Sequence, residues 1–291
     1  MREVTVSAIQ MACSPDLMQN LETAESLVRF AASEGGQIIL LPELFETPYF
    51  CQERRYAWYQ LAKPVEENEA VRRFRTVAKE LEVVLPISFY ERDKTVLYNS
   101  VAIIDADGSI LGVYRKSHIP DDHYYQEKFY FTPGNTGFRV WKTRYATIGV
   151  GICWDQWFPE TARAMALQGA ELLFYPTAIG EEPILEVDSA PHWQRCMQGH
   201  SAANLMPVIA ANRVGTEVIT PDTENGNQSS ALTFYGTSFM TDGTGAVVAQ
   251  QDRQNPGVCT HTYDLDALEE DRMSWGVFRD RRPDLYGILE K

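Results

Sequence analysis

Ala146-Thr147-Ile148-Gly149-Val150-Gly151-Ile152-Cys153-Trp154-Asp155-Gln156-Trp157-Phe158-Pro159-Glu160 reads as a buried strand that stops on a cysteine. A helix follows at Pro159–Gly169, with proline in its first turn and glycine at its end. The two glycines before Cys153 let neighbouring backbones approach closely. A thiol between a strand end and a helix N-terminus lies near aligned N–H groups, which favour thiolate and can hold an oxyanion. The commonest fate of a free cysteine is inert burial. This placement lifts Cys153 above that background.

The same pattern recurs outward along the chain. Val4–Met11 alternates as a strand, and Asn20 is positioned as the N-cap of a helix through Leu21, Ala24, Leu27, Val28 and Ala31 that ends at Gly35-Gly36. Gln37–Leu41 is a continuous apolar run, as expected of a strand buried on both faces. A helix over 67–81 and a strand over Val83–Phe89 follow, so the first third implies a sheet covered by helices. Tyr98–Asp105 and Ile110–Lys116 form a hairpin around Asp107-Gly108. Further strands are expected at Glu171–Tyr175, Pro207–Asn212, Thr233–Met240 and Gly245–Ala249, with a helix at His192–Leu205. The polar stretch Gly215–Ser230 reads as a surface loop. One domain over 1–291 is the economical reading, with more than one sheet.

Two further ionisable residues share the position of Cys153. Glu43 follows the apolar strand end Leu40-Leu41-Pro42, and Lys116 closes Ile110–Lys116. Each alone is usually a solvated turn or edge residue. Together they place a carboxylate, an ammonium and a thiol just beyond apolar strands, where sites collect in sheet-based enzymes.

Composition narrows the field. The 291 residues carry 26 Lys plus Arg against 40 Asp plus Glu, a net charge of −14, with 44% apolar and 23% charged residues. That is an ordinary globular composition. The acidic balance argues against nucleic acid and anionic membranes. No apolar run approaches the ~20 residues of a membrane span. The five cysteines are too scattered for a disulfide framework or a zinc site. With no signal-peptide pattern, a reduced, cytoplasmic protein is expected.

Leu41-Pro42-Glu43, Arg115-Lys116 and Gly151-Ile152-Cys153-Trp154-Asp155 resemble, in order, the three signature blocks of the nitrilase (carbon–nitrogen hydrolase) superfamily. The resemblance runs from about Val4 to Gly287. It implies an α/β fold, a four-layer α-β-β-α sandwich with two mixed sheets, and assembly into homodimers or larger homo-oligomers. It implies hydrolysis without metal or cofactor: Cys153 as nucleophile, Glu43 as base, and Lys116 with the Trp154 N–H as oxyanion donors. Glu127 matches a second family glutamate that positions substrate and Lys116. From the residues alone it is indistinguishable from its neighbours in an acidic cluster, and Asp122-His123-Tyr124 departs from the turn expected there. His123 is expected at the surface or the pocket rim.

Glu43–Cys51, Leu85–Phe89, Tyr175–Gly180 and Trp275–Pro283 are similar to the branch of that superfamily acting on N-carbamoylputrescine. The implied substrate is a cationic carbamoyl amine. Its ammonium wants a carboxylate in a partly dry pocket. Glu182 and Glu181 are the candidates, the resemblance favouring Glu182. Tyr49, Trp154, Thr177 and Ala178 would complete the pocket. Carbamoyl amino acids, amides and nitriles are rival substrates, and a non-catalytic polyamine-binding protein is a rival of another class. The basic run Arg279–Arg282 is short. The resemblance places the segment from about 273 to 291 at a subunit interface.

Overall fold

The computed structural model describes residues 1–181 and 186–290. Its first half builds one sheet: β1 (Glu3–Gln10), α1 (Leu17–Ser33), β2 (Ile38–Leu40), α2 (Glu69–Leu81), β3 (Leu85–Asp93), β4 (Val96–Ile104) and β5 (Ile110–Arg115). The second half contributes β6 (Val140–Lys142), β7 (Thr147–Val150), α3 (Pro159–Leu167), β8 (Leu172–Pro176), β9 (Gly180–Glu181), α4 (Ala190–Asn204) and β10 (Val208–Ala211). Then come β11 (Val214–Ile219), β12 (Ser230–Tyr235), β13 (Phe239–Thr241), β14 (Val247–Gln250), β15 (Gly257–Asp264) and α5 (Leu265–Trp275).

The strand order β15-β1-β2 joins β3-β4-β5 through a parallel bridge between Ile38 and Val84, giving one mixed sheet. The second sheet runs β14-β13-β10-β8-β7-β6. Side-chain alternation then assigns the layers. Ile38 and Leu40 of β2, and Val101 and Ile103 of β4, point into a core shared with Ile148, Val150 and Leu173 of the second sheet. Ile39, Leu41, Ala102 and Ile104 point the other way, onto Leu21, Val28, Val71 and Phe74 of α1 and α2. With α3 and α4 against β7 and β10, the layers are α-β-β-α, as the resemblance implied. The continuous apolar run at β2 is explained by burial on both faces.

Several boundaries differ from expectation. The cap of α1 is Asp16, whose Oδ1 accepts from the N–H groups of Met18 and Gln19. Asn20 lies a turn inside and is buried, bridging Ser14 and the Glu46 carbonyl. The expected strand Thr233–Met240 breaks in two at Gly236-Thr237, where φ is +60° and +49°. Of the expected loop Gly215–Ser230, residues 220–229 do form the mostly exposed connection, while 215–219 and Ser230 belong to a hairpin in which β11 pairs with β12 from Val214↔Tyr235 to Ile219↔Ser230. Its polarity reflects exposure, which a sequence reading mistakes for irregularity. β15, paired antiparallel with β1 along Glu3↔Asp264 to Gln10↔Gly257, and helix α5 carry no expectation from sequence.

The strand ends converge. Glu43 follows β2, Lys116 follows β5, Cys153 follows β7 and Thr177-Ala178 follow β8. Lys116 is fixed from behind by Gly134, whose N–H donates to the Lys116 carbonyl at 2.7 Å. A Cβ on Gly134 would lie 2.1 Å from the Arg115 carbonyl oxygen and 2.8 Å from that of Lys116. Backbone cannot yield as a side chain does. Gly134→Ala is therefore expected to cost about 1–3 kcal/mol of stability and to lower turnover by displacing Lys116, measured by chemical denaturation and steady-state kinetics.

Candidate active site

Lys116 is fully buried, as are Glu43 and Glu127. Its Nζ donates to Glu43 Oε1 at 2.8 Å and to Glu127 Oε2 at 2.6 Å. Burial alone would lower the Lys116 ammonium, but the two carboxylates outweigh it and hold the group well above its usual range. Two carboxylates sharing one ammonium leave a buried net negative charge. Burial raises Glu127 above the ordinary carboxylate range, against the pull of Lys116, and Glu43 adds to the rise. One carboxyl of this cluster can thus exchange a proton near neutral pH.

The remaining carboxylate oxygens are unequal. Glu127 Oε1 accepts from the Tyr49 hydroxyl at 2.7 Å. Glu43 Oε1 also accepts from Asn99 Nδ2 at 2.6 Å, while Glu43 Oε2 makes no hydrogen bond among the described residues. Glu43 therefore has an oxygen free to take a proton.

Cys153 is buried with φ +39°, a conformation that costs an L-residue energy and persists only where surroundings enforce it. Asp155 supplies the enforcement. It accepts from Ile152 N at 2.9 Å, Tyr114 Oη at 2.8 Å and His118 N at 3.0 Å, and its Oδ1 lies 2.7 Å from His118 Nδ1. The turn bearing Cys153 is thereby tied to the end of β5, which bears Lys116. Burial pushes the Cys153 thiol well up, Glu43 pushes it further, and Lys116 partly opposes them. The resting thiol is neutral, so nucleophilic attack requires a base.

Cys153 and Glu127 open onto a cavity of about 290 Å³ that is also lined by Trp154, Trp157, Ile179, His192 and Tyr235. Of the expected residues, the structure brings together Glu43, Lys116, Glu127, Cys153 and Trp154. Glu127, offered by its neighbours as part of a solvated acidic face, is interior. Ala178 contributes backbone beside the Cys153 thiol. Thr177 spends its hydroxyl on the Ala211 carbonyl and its own carbonyl on Glu43 N–H. The Tyr49 hydroxyl is spent on Glu127. His123 is exposed at the surface. Glu181 is exposed in β9, and Glu182 lies outside the described residues. Asn99 and Asp155 were missed. Asp155 had a signal, two residues beyond the cysteine, whereas Asn99 is mid-strand with none.

A thiol, a free carboxylate oxygen and a buried ammonium between two sheets define a thiol hydrolase of the nitrilase fold. The chain belongs to the carbon–nitrogen hydrolase family, whose model matches residues 5–273. It is 57% identical over 289 residues to the N-carbamoylputrescine amidase of Arabidopsis thaliana, covering 99% of this chain and 95% of that one. It is 50% identical to a citrullinase of Francisella tularensis, covering 98% of both. The crystal structure of a carbon–nitrogen hydrolase from Helicobacter pylori superposes with a TM-score of 0.90 at 37% identity, over 99% of each chain.

Glu46, in the same turn as Glu43, gives a separable pH signature. It is almost fully buried, its Oε1 accepts from Asn68 Nδ2 at 2.9 Å, and burial pushes its carboxyl up to about 7. A folded value above the unfolded one favours the protonated form. The associated stability is thus full below the unfolded value near 4.5 and is lost as pH rises through about 7. Glu46→Gln is expected to flatten the pH dependence of the melting temperature across that window, read by thermal melts at stepped pH.

Proposed function

We propose that this chain hydrolyses N-carbamoylputrescine to putrescine, CO2 and ammonia, a polyamine-forming reaction. The observation that carries this is near full-length identity of 57% to an enzyme of that name, joined to a buried cluster equipped for acyl transfer. Cys153 Sγ attacks the carbamoyl carbon as Glu43 Oε2 takes the thiol proton. The developing oxyanion is met by Lys116 Nζ and the Trp154 N–H. Glu43 passes its proton to the departing amine, and putrescine leaves an S-carbamoyl enzyme. Glu43 then draws a proton from water, whose oxygen bonds to the carbamoyl carbon as the C–S bond breaks; Glu43 returns that proton to Cys153 Sγ, and the released carbamic acid breaks down to CO2 and ammonia. Glu127, held by Tyr49, keeps Lys116 aimed.

An acidic surround supports a cationic substrate. A second cavity of about 340 Å³, whose described lining includes Glu181, Glu186 and Asp188, holds Arg253 as its cation, paired with Asp188 at 2.6 Å. Glu182 is the proposed partner of the substrate ammonium. The citrullinase relative favours a second reading, a carbamoyl amino acid, which would place a carboxylate near these acids. Ammonia release under matched conditions from N-carbamoylputrescine, citrulline and a neutral N-carbamoyl alkylamine decides between them. Preference for the first is expected, with turnover abolished in Cys153→Ala. Glu182→Gln should lower kcat/KM for N-carbamoylputrescine about tenfold or more and leave the neutral substrate near wild type. Equal loss on both removes the ammonium role, and preference for citrulline replaces the substrate.

A homo-oligomer is also proposed. Met273, Trp275, Leu285, Ile288 and Leu289 stand exposed in the C-terminal segment, more apolar surface than one short segment usually shows to water. Arg279 pairs with Asp280 and Arg282 with Asp284, while Arg281 lies over the Tyr286 ring, so most of the basic run is spent locally. Among the described residues no helix is long and apolar enough to cross a membrane. Truncation before Met273 is expected to reduce the assembly mass in size-exclusion chromatography with light scattering, and an unchanged mass would refute the interface.

A further inference from the structure

The turn from Pro42 to Tyr49 carries Glu43 at one end and Tyr49 at the other. Its backbone is unusual: Leu44 has φ +49°, and the carbonyls of Glu43, Leu44 and Thr47 converge on one point. Arg213, just past β10 in the opposite sheet, fills that point and is fully buried. Its Nη2 donates to the Glu43 carbonyl at 3.0 Å and the Leu44 carbonyl at 2.7 Å, and its Nε to the Glu43 carbonyl at 3.3 Å. Its Nη1 donates to the Thr47 carbonyl at 3.0 Å and to Glu217 Oε1 at 2.8 Å. All five guanidinium N–H groups are thus used. The other oxygen of Glu217 accepts from Tyr49 N–H at 2.6 Å. The Arg213–Glu217 pair grips both ends of the turn, and the side chains at those ends meet again at Lys116 and Glu127.

We infer that Arg213 is a positioning residue for the base, fixing through the turn backbone where Glu43 and Tyr49 stand against Lys116 and Glu127. The inference rests on the hydrolase reading of Glu43. Lysine cannot substitute: it offers one point of donation where five directed N–H groups are needed. Arg213 also lies over the Tyr49 ring, 5.8 Å from its centroid, so both ends of the turn touch the same guanidinium.

The inference is tested in Arg213→Lys and Arg213→Met, studied in the full chain. Turnover of N-carbamoylputrescine is one readout. The other is the time course of Cys153 alkylation by iodoacetamide, followed by mass spectrometry. It needs no substrate and still reports if the substrate assignment fails. Arg213→Lys keeps the charge and loses the grip: kcat is expected to fall by tens to about a hundredfold, KM to stay within about threefold, and alkylation to slow as the base leaves its place beside the thiol. Arg213→Met should lose at least as much of both. Circular dichroism and thermal melts measure the folded fraction. Activity loss that merely tracks that fraction, or folded variants with wild-type kcat and alkylation profile, overturns the inference. If both arginine variants fail to fold, Glu217→Gln, which keeps an oxygen for Tyr49 and weakens the ion pair, should lower kcat at unchanged KM. Wild-type kcat in folded Glu217→Gln also overturns it.

Discussion

Everything around the site serves one costly object, the ammonium of Lys116 held without water between Glu43 and Glu127. Removing ions from water costs several kcal/mol each, and their attraction repays this only when geometry is close and the remaining lone pairs are met. Here the geometry is close, at 2.6–2.8 Å, and the lone pairs are met by Tyr49 and Asn99, save one oxygen of Glu43. The trio is therefore stable only while its supports hold. Those supports come from separate elements: the turn after β2, the interior of β4, the end of β5 and the short helical turn at Glu127.

Chemistry follows from the same cost. A buried cluster with one more negative than positive charge keeps the adjacent thiol protonated, which protects it at rest. It also ensures that a proton acceptor stands ready when substrate arrives. In the proposed reaction the thiol proton passes to Glu43, so the negative charge of the oxyanion replaces the one that Glu43 gives up beside Lys116, and the net charge of the site does not change. A site already fixed in this arrangement reorganises little during reaction, which is the usual source of electrostatic catalysis.

How much of this was visible in the sequence depends on where each signal lies. Glu43, Lys116 and Cys153 stood out because each follows an apolar strand directly, a local pattern. β2, α2 and the β4–β5 hairpin were legible for the same reason, since periodicity and turn residues are local. Glu127, Asn99 and Arg213 were not. Asn99 meets Glu43 from 56 positions away, Glu127 meets Tyr49 from 78 and Arg213 meets Glu43 from 170, and a glutamate in an acidic run or an arginine after a strand carries no local mark of burial. β15 failed similarly: its strand identity comes from pairing with β1 across the whole chain, while its half-polar sequence resembles a loop. The β11–β12 hairpin was lost because exposure made it polar.

The division of the site between two sheets has a further consequence. Glu43 and Lys116 ride on the first sheet, Cys153 and Ala178 on the second. Direct cross-links beside the site include the Glu43 N–H to the Thr177 carbonyl at 3.2 Å, Arg213 on the 43–47 carbonyls, and Asp155 on the end of β5. Cys153 and Glu43 are thus registered by the packing of the apolar inter-sheet core together with these polar ties. A loop-borne site can be retuned by local change. A site at the seam of two sheets cannot, because any substitution that slides one sheet on the other moves the thiol relative to its base. The strained φ of Cys153 belongs to the same logic. Strain survives only where the surroundings over-determine a residue, and Asp155, reaching across the seam to His118 and Tyr114, provides that over-determination while setting the distance that the reaction needs.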